Sequence, residues 1–132
     1  MSRPRLSLAM LAGLLFAALP LHAEERSAIP TEYQWDLTAL YANETAWQAA
    51  KTGIEKRIPA MAGFKGHLAD SPVALQSALA YMMDVDRDIA RLYTYASQLA
   101  DQDARVARHL AMRENAEQLN VQFRAASAFM RP

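Results

Sequence analysis

Residues 71–99, SPVALQSALAYMMDVDRDIARLYTYASQL, read as one long amphipathic helix and decide the fold class. Ser71 offers a capping hydroxyl and Pro72 occupies the first helical position, where its missing N–H costs nothing. Leu75, Leu79, Met82, Val85, Ile89, Leu92, Ala96 and Leu99 then recur at alternating steps of three and four, which places them in one apolar seam along the segment. A helix with one apolar stripe must bury it against another element.

The partner helix follows directly. Asp101-Gln102-Asp103 interrupts the pattern and is expected to cap a helix whose stripe is Val106, Leu110, Met112, Ala116, Leu119, Phe123, Ala126 and Met130. A connection this short makes the two helices antiparallel neighbours, a helical hairpin. Upstream, Asn43 can cap an earlier helix, with Glu44 well placed at its positive end. Trp47, Ala50, Ile54, Ile58 and Met61 form the buried stripe of that helix, and Pro59 predicts a kink or an end near Ile58. Gly63 and Gly66 bracket Phe64-Lys65 in an expected turn.

Before this helix, Tyr33, Trp35 and Leu37 alternate with Glu32, Gln34 and Asp36. That period predicts an extended segment laying one face on something apolar, with Asp36 capping a single turn through Leu40. No window carries the repeated Val/Ile/Thr alternation of a sheet. The fold class is therefore all-α: about three helices after an extended segment, with a long antiparallel hairpin.

The first residues have another character. Arg3 and Arg5 precede an apolar run from Leu6 to Leu21, interrupted only by Ser7, Gly13 and Pro20, and Ala23 is followed by Glu24-Glu25. The run is shorter than the ~20 residues that span a bilayer, so residues 1–23 read as a secretory signal peptide and residues 24–132 as the mature helical domain. Localisation follows as exported, either periplasmic or secreted, with no membrane attachment after cleavage. Loss of Arg3 and Arg5 leaves two more acids than bases, because the whole chain carries 14 Lys+Arg and 14 Asp+Glu. Bases interleave with acids throughout, which argues against nucleic acid as a partner. With no cysteine, the fold rests on its apolar core alone.

Few residues offer chemistry. Asp84, Asp86 and Asp88 have the spacing of the first three calcium-loop ligands, but Ile89 stands where the loop needs glycine and Tyr95 where it needs glutamate. On a helix Asp86 points away from Asp84 and Asp88, so the expected partners are surface pairs, Asp84 with Arg87 and Asp88 with Arg91. His67 falls in a turn and reads as solvated; His109 borders an apolar stripe and reads as a hydrogen-bonded packing residue. No H-E-x-x-H helix occurs, so no catalytic residue and no metal ligand is assigned. Ser71, Ser77, Ser97 and Ser127 lack the sequence setting of a nucleophile. Tyr93 and Tyr95, on the flanks of the long seam, are candidates for contacts at a channel wall or a domain interface, because each joins an apolar body to a polar tip.

Several segments together resemble oligoendopeptidase F, in the wider group of thimet-type zinc oligopeptidases. These are Pro30 to Tyr41 with Trp35-Asp36-Leu37, Asn43 through Trp47, Phe64-Lys65-Gly66, Arg91-Leu92-Tyr93-Thr94-Tyr95-Ala96, Asp101 to Asp103, and the closing Ala128-Phe129-Met130-Arg131-Pro132. The resemblance implies a zinc endopeptidase that cuts internal bonds of short peptides, with a helical lobe forming one wall of a deep channel. It also implies that residues 24–132 are an incomplete N-terminal lobe. The catalytic domain, with its paired histidines and downstream glutamate, would be a missing partner, zinc would belong to the full-length enzyme, and this chain would bind none and be inactive alone. A small exported helical binding or adaptor module without catalytic activity is the alternative.

Overall fold

The computed structural model describes residues 28–130. The signal peptide expected over residues 1–23, and the Arg131-Pro132 end of the resemblance, lie outside the described residues. Among the described residues every regular element is helical: α1 (Glu44–Arg57), α2 (Pro72–Gln102) and α3 (Ala107–Ala126), joined by short 3-10 segments.

Local chemistry sets the starts. The Asn43 side chain accepts from the Ala46 N–H at 2.9 Å, and Ser71 Oγ accepts from the Ala74 N–H at 3.0 Å. Each satisfies one of the donors that a helix start leaves without a partner. At the far end of α1, Pro59 cannot donate to the preceding turn, and the chain tightens into a 3-10 segment, Ile58–Phe64. This segment packs on both α2 and α3. Gly63 lies inside it rather than in the expected turn; Gly66, at φ 87°, makes the turn.

The core lies where α1, α2, α3 and the Ile58–Phe64 segment meet. Trp47, Ile54, Ile58 and Met61 face Val85, Ile89, Leu92 and Ala96 of α2 and Met112, Ala116, Leu119 and Phe123 of α3. Ala50 is only half-buried. The hairpin of α2 and α3 is the most extensive pairing in the molecule. Small residues at its centre, Ala96 and Ala116, are fully buried and let the helix backbones approach closely.

Three expectations change. The seam of α2 is not covered along its whole length: Leu75 and Leu79 are exposed, and Ala78 is the buried residue of that turn. At 100° per residue Leu75 and Leu79 sit rotated away from the line of Ala78, Val85 and Leu92. Length adds to this, since 31 residues make α2 about 46 Å long while the 20 of α3 make about 30 Å. An antiparallel α3 therefore ends before it reaches the start of α2.

Asp103 does not cap α3. It closes α2, and its carboxylate accepts from the N–H and side chain of Arg105, leaving Val106 at the start of α3 without a side-chain cap. A carboxylate two residues before an N–H makes a local turn in preference to reaching the next helix. Finally, the Tyr33–Leu37 alternation is not one extended strip. Thr31–Tyr33 is a 3-10 turn, Tyr33 and Trp35 are exposed, and of the three only Leu37 enters the core. Asp36 caps the turn Leu37–Ala39 as its sequence implies, through the Thr38 N–H at 2.9 Å.

Candidate functional site

Tyr93 and Tyr95 part company, because two residues along a helix are about 200° apart. Tyr95 turns inward and is buried, its ring edge-on to Tyr41 at 5.5 Å and 88°. Burial raises its phenol pKa, with the Glu44 charge adding to the effect. The Tyr41 phenol is raised as well, by burial first, with Arg91 opposing and Asp88 reinforcing. These two rings fasten the segment before α1 to the second half of α2. Arg91 completes the fastening: it lies over the Tyr41 ring at 5.7 Å and donates to the Leu40 carbonyl at 3.1 Å.

Arg91 is thereby diverted from Asp88, its expected neighbour in sequence. Asp88 pairs instead with Arg57 at the end of α1, while Asp84 and Arg87 pair as expected. Arg57 also lies over the Tyr81 ring at 5.6 Å, and the Tyr81 hydroxyl donates to the Arg57 carbonyl at 2.9 Å. Burial works against the Arg57 charge, yet Asp88 and Tyr81 outweigh it and its pKa is raised. The cluster is a structural clasp between α1 and α2, with each cation occupied.

Tyr93 turns outward, into a groove of about 520 Å³ between α2 and α3. Ile89, Ala90 and Val121 form its apolar part, and Asp86, Glu117, Asn120 and Arg124 its polar part. Arg124 donates to Asn120 Oδ1 at 3.1 Å, whereas Asp86 and Glu117 form no ion pair with the described residues. Apolar walls with a phenol and carboxylates at their edge suit the groove to binding. The α3 side of the groove escaped the sequence reading. Glu117, Asn120, Val121 and Arg124 recur at helical spacing on a face separate from the buried stripe, and Val121 is the apolar residue that marks it.

The histidines do not come together with acids as a ligand set. His67 is exposed and pairs with Asp70 at 2.8 Å. His109 is packed as expected but not hydrogen-bonded as expected: Nε2 stands 3.6 Å from Glu44, and the buried Nδ1 has no partner. Glu44 is drawn instead to Arg108, at 2.7 Å. Among the described residues no group of three His, Cys, Asp or Glu side chains could hold a metal ion, so the donors present here do not fit zinc. No described helix is long and apolar enough to cross a membrane.

No family model and no solved structure matches the chain. Curated relatives do. The chain is 33% identical over 110 residues to the group B oligopeptidase PepB of Streptococcus agalactiae serotype III strain NEM316, a match covering 83% of this chain and 18% of that protein. It is 33% identical over 111 residues to the plasmid oligoendopeptidase F of Lactococcus lactis subsp. cremoris, again 83% of this chain and 18% of the relative. With oligopeptidase PepF of Bacillus subtilis strain 168 the identity is 32% over 108 residues, 82% of this chain and 16% of the relative. Over most of its length the chain is thus a homologue of the oligoendopeptidase F family, spanning less than a fifth of the length of those relatives.

Proposed function

We propose that the chain is the N-terminal helical part of an exported, zinc-dependent oligoendopeptidase that hydrolyses internal peptide bonds of short peptides. The observation that carries this reading is the 33% identity, across 83% of the chain, to a protein named as an oligopeptidase. The helical hairpin with its closed core supports a scaffolding role. The domain boundary at residue 24 and export to the periplasm or beyond rest on the leader-like composition of residues 1–23.

In this reading residues 24–132 shape one wall of the substrate channel, and oligopeptides are bound by the whole enzyme. Tyr95 serves as an internal contact that fixes the Leu37–Tyr41 segment to α2. Tyr93 faces outward as a contact to another domain or to substrate. The described residues offer no zinc ligand set, so zinc would be held by a catalytic domain elsewhere in a longer polypeptide.

The test is made on the native polypeptide that carries these residues, captured from its source with an antibody to residues 28–130. It is incubated with an internally quenched oligopeptide, and the products are mapped by mass. Cleavage at an internal bond, lost on chelation and regained with zinc, is the expected result. Removal of single terminal residues, or no cleavage at all, would overturn the reading.

A further inference from the structure

Two exposed grooves lie end to end along one face of α2. The first, at the start of the helix, is lined by Leu75, Leu79 and Met83 together with Pro72 and Ala80. The second is the groove that holds Asp86, Tyr93, Glu117 and Val121. Leu75, Leu79, Met83, Asp86, Ala90 and Tyr93 follow one another at steps of four and three, so they form a single stripe about a quarter turn from the buried seam. Met83 and Val121 are 64% and 66% exposed, and Leu75 and Leu79 are also open. Leu75, Leu79 and Met83 make an exposed apolar strip of about two helical turns, which Asp86 separates from Ala90 and Tyr93, and such a strip is more than scattered surface leucines. The first half of the stripe is open because α2 outruns α3, and its second half runs beside α3, whose Glu117 and Val121 line the same groove; no described element covers either.

We propose that this stripe is a docking surface for a further segment of the same polypeptide: an amphipathic helix laid along α2. Its apolar side would meet Leu75, Leu79 and Met83, and a lysine or arginine would pass Asp86 and Glu117. The occupant is assigned to the same polypeptide because the matched relatives are more than five times longer than the stretch they share with this chain. Its basic character follows from charge, since Asp86 and Glu117 line the groove without an ion-pair partner among the described residues and outnumber its one cation, Arg124, which donates to Asn120. This inference rests on the proposed reading of the chain as part of a longer oligopeptidase.

Methionine oxidation by peroxide tests it without any peptide assay. Its failure is thus distinguishable from failure of the enzymatic reading. Met83 is open to solvent in this chain, while Met61 is fully buried and serves as the internal reference. Met83 is expected to oxidise about tenfold faster in the 132-residue chain than in the native polypeptide, because thioether oxidation follows exposure, with Met61 slow in both. Equal Met83 rates in the two proteins would overturn the proposal. So would a native polypeptide that ends with these residues, or protection in the short chain that grows with its concentration, which would identify a second copy as the occupant. In the native polypeptide, Asp86→Lys combined with Glu117→Lys is expected to raise the Met83 rate severalfold; an unchanged rate would refute a basic partner.

Discussion

The indole N–H of Trp47 donates to the backbone carbonyl of Leu92 across 45 residues of sequence, at 2.9 Å and out of reach of water. This bond joins the first turn of α1 to the second half of α2 within the hydrophobic core. It lets the largest side chain of the core be fully buried without leaving its polar atom unpaired.

Trp47→Phe is therefore expected to cost about 1–2 kcal/mol, through the lost hydrogen bond and imperfect filling of the indole space. Trp47→Ala is expected to cost about 3–5 kcal/mol, enough to unfold a marginal domain of this size. Urea unfolding followed by circular dichroism measures both. A negligible loss for Trp47→Phe beside a large one for Trp47→Ala would mean that the indole packs without its bond mattering.

The clasp between Arg57 and Asp88 has both side chains about one-third exposed. Solvent screening limits its worth, so a double-mutant cycle on Arg57→Met and Asp88→Asn is expected to give a coupling of about 0.5–1 kcal/mol. The coupling should shrink in 1 M salt, where the screening length falls to about 3 Å. A coupling unchanged by salt would place the interaction in packing, through the Tyr81 ring beneath Arg57, rather than in charge.

Tyr41 and Tyr95 give the fold an alkaline limit. Both phenols have folded pKa values raised by burial. Their contribution is complete below the ordinary tyrosine pKa of about 10 and is lost as pH rises through the raised folded values. Native-state titration of phenolate absorbance should show a fraction ionising later than the same protein in urea. Tyr41→Phe with Tyr95→Phe should remove that late fraction and flatten the loss of stability at high pH.

The two tryptophans differ in access: Trp35 is 69% exposed and Trp47 is 1% exposed. Iodide quenching of fluorescence is expected to separate an accessible and an inaccessible class, and Trp35→Phe should leave only the latter. If the accessible class persists in that variant, Trp47 is reaching solvent and the core packing described above fails.

Much of this architecture is legible in the chain because its signals are local. Asn43, Ser71-Pro72 and Pro59 act on backbone donors within one turn, so helix starts and the end of α1 follow from chemistry at those positions. The buried stripes of α1 and α3 follow from period alone. What sequence does not carry is which residues have company. Leu75 and Leu79 look like Ile89 by pattern, and their exposure depends on α3 being shorter than α2. Arg91 sits three residues from Asp88, yet Tyr41 and the Leu40 carbonyl, 51 residues away, hold it. Trp35 alternates correctly with Leu37, but only Leu37 has a core to enter. The groove around Tyr93 needed both helices at once: its acids lie on α2 and α3 and are invisible as a pair until the hairpin closes.

The most direct comparison is between the native polypeptide and the 132-residue chain, matched in concentration, with bound zinc quantified and turnover of a quenched oligopeptide followed in the same samples. The native polypeptide should carry stoichiometric zinc and cut at an internal bond, and the short chain should do neither. Chelator-sensitive turnover by the short chain, or a native polypeptide devoid of both zinc and cleavage, would contradict the assignment of these residues to the helical wall of an oligopeptidase.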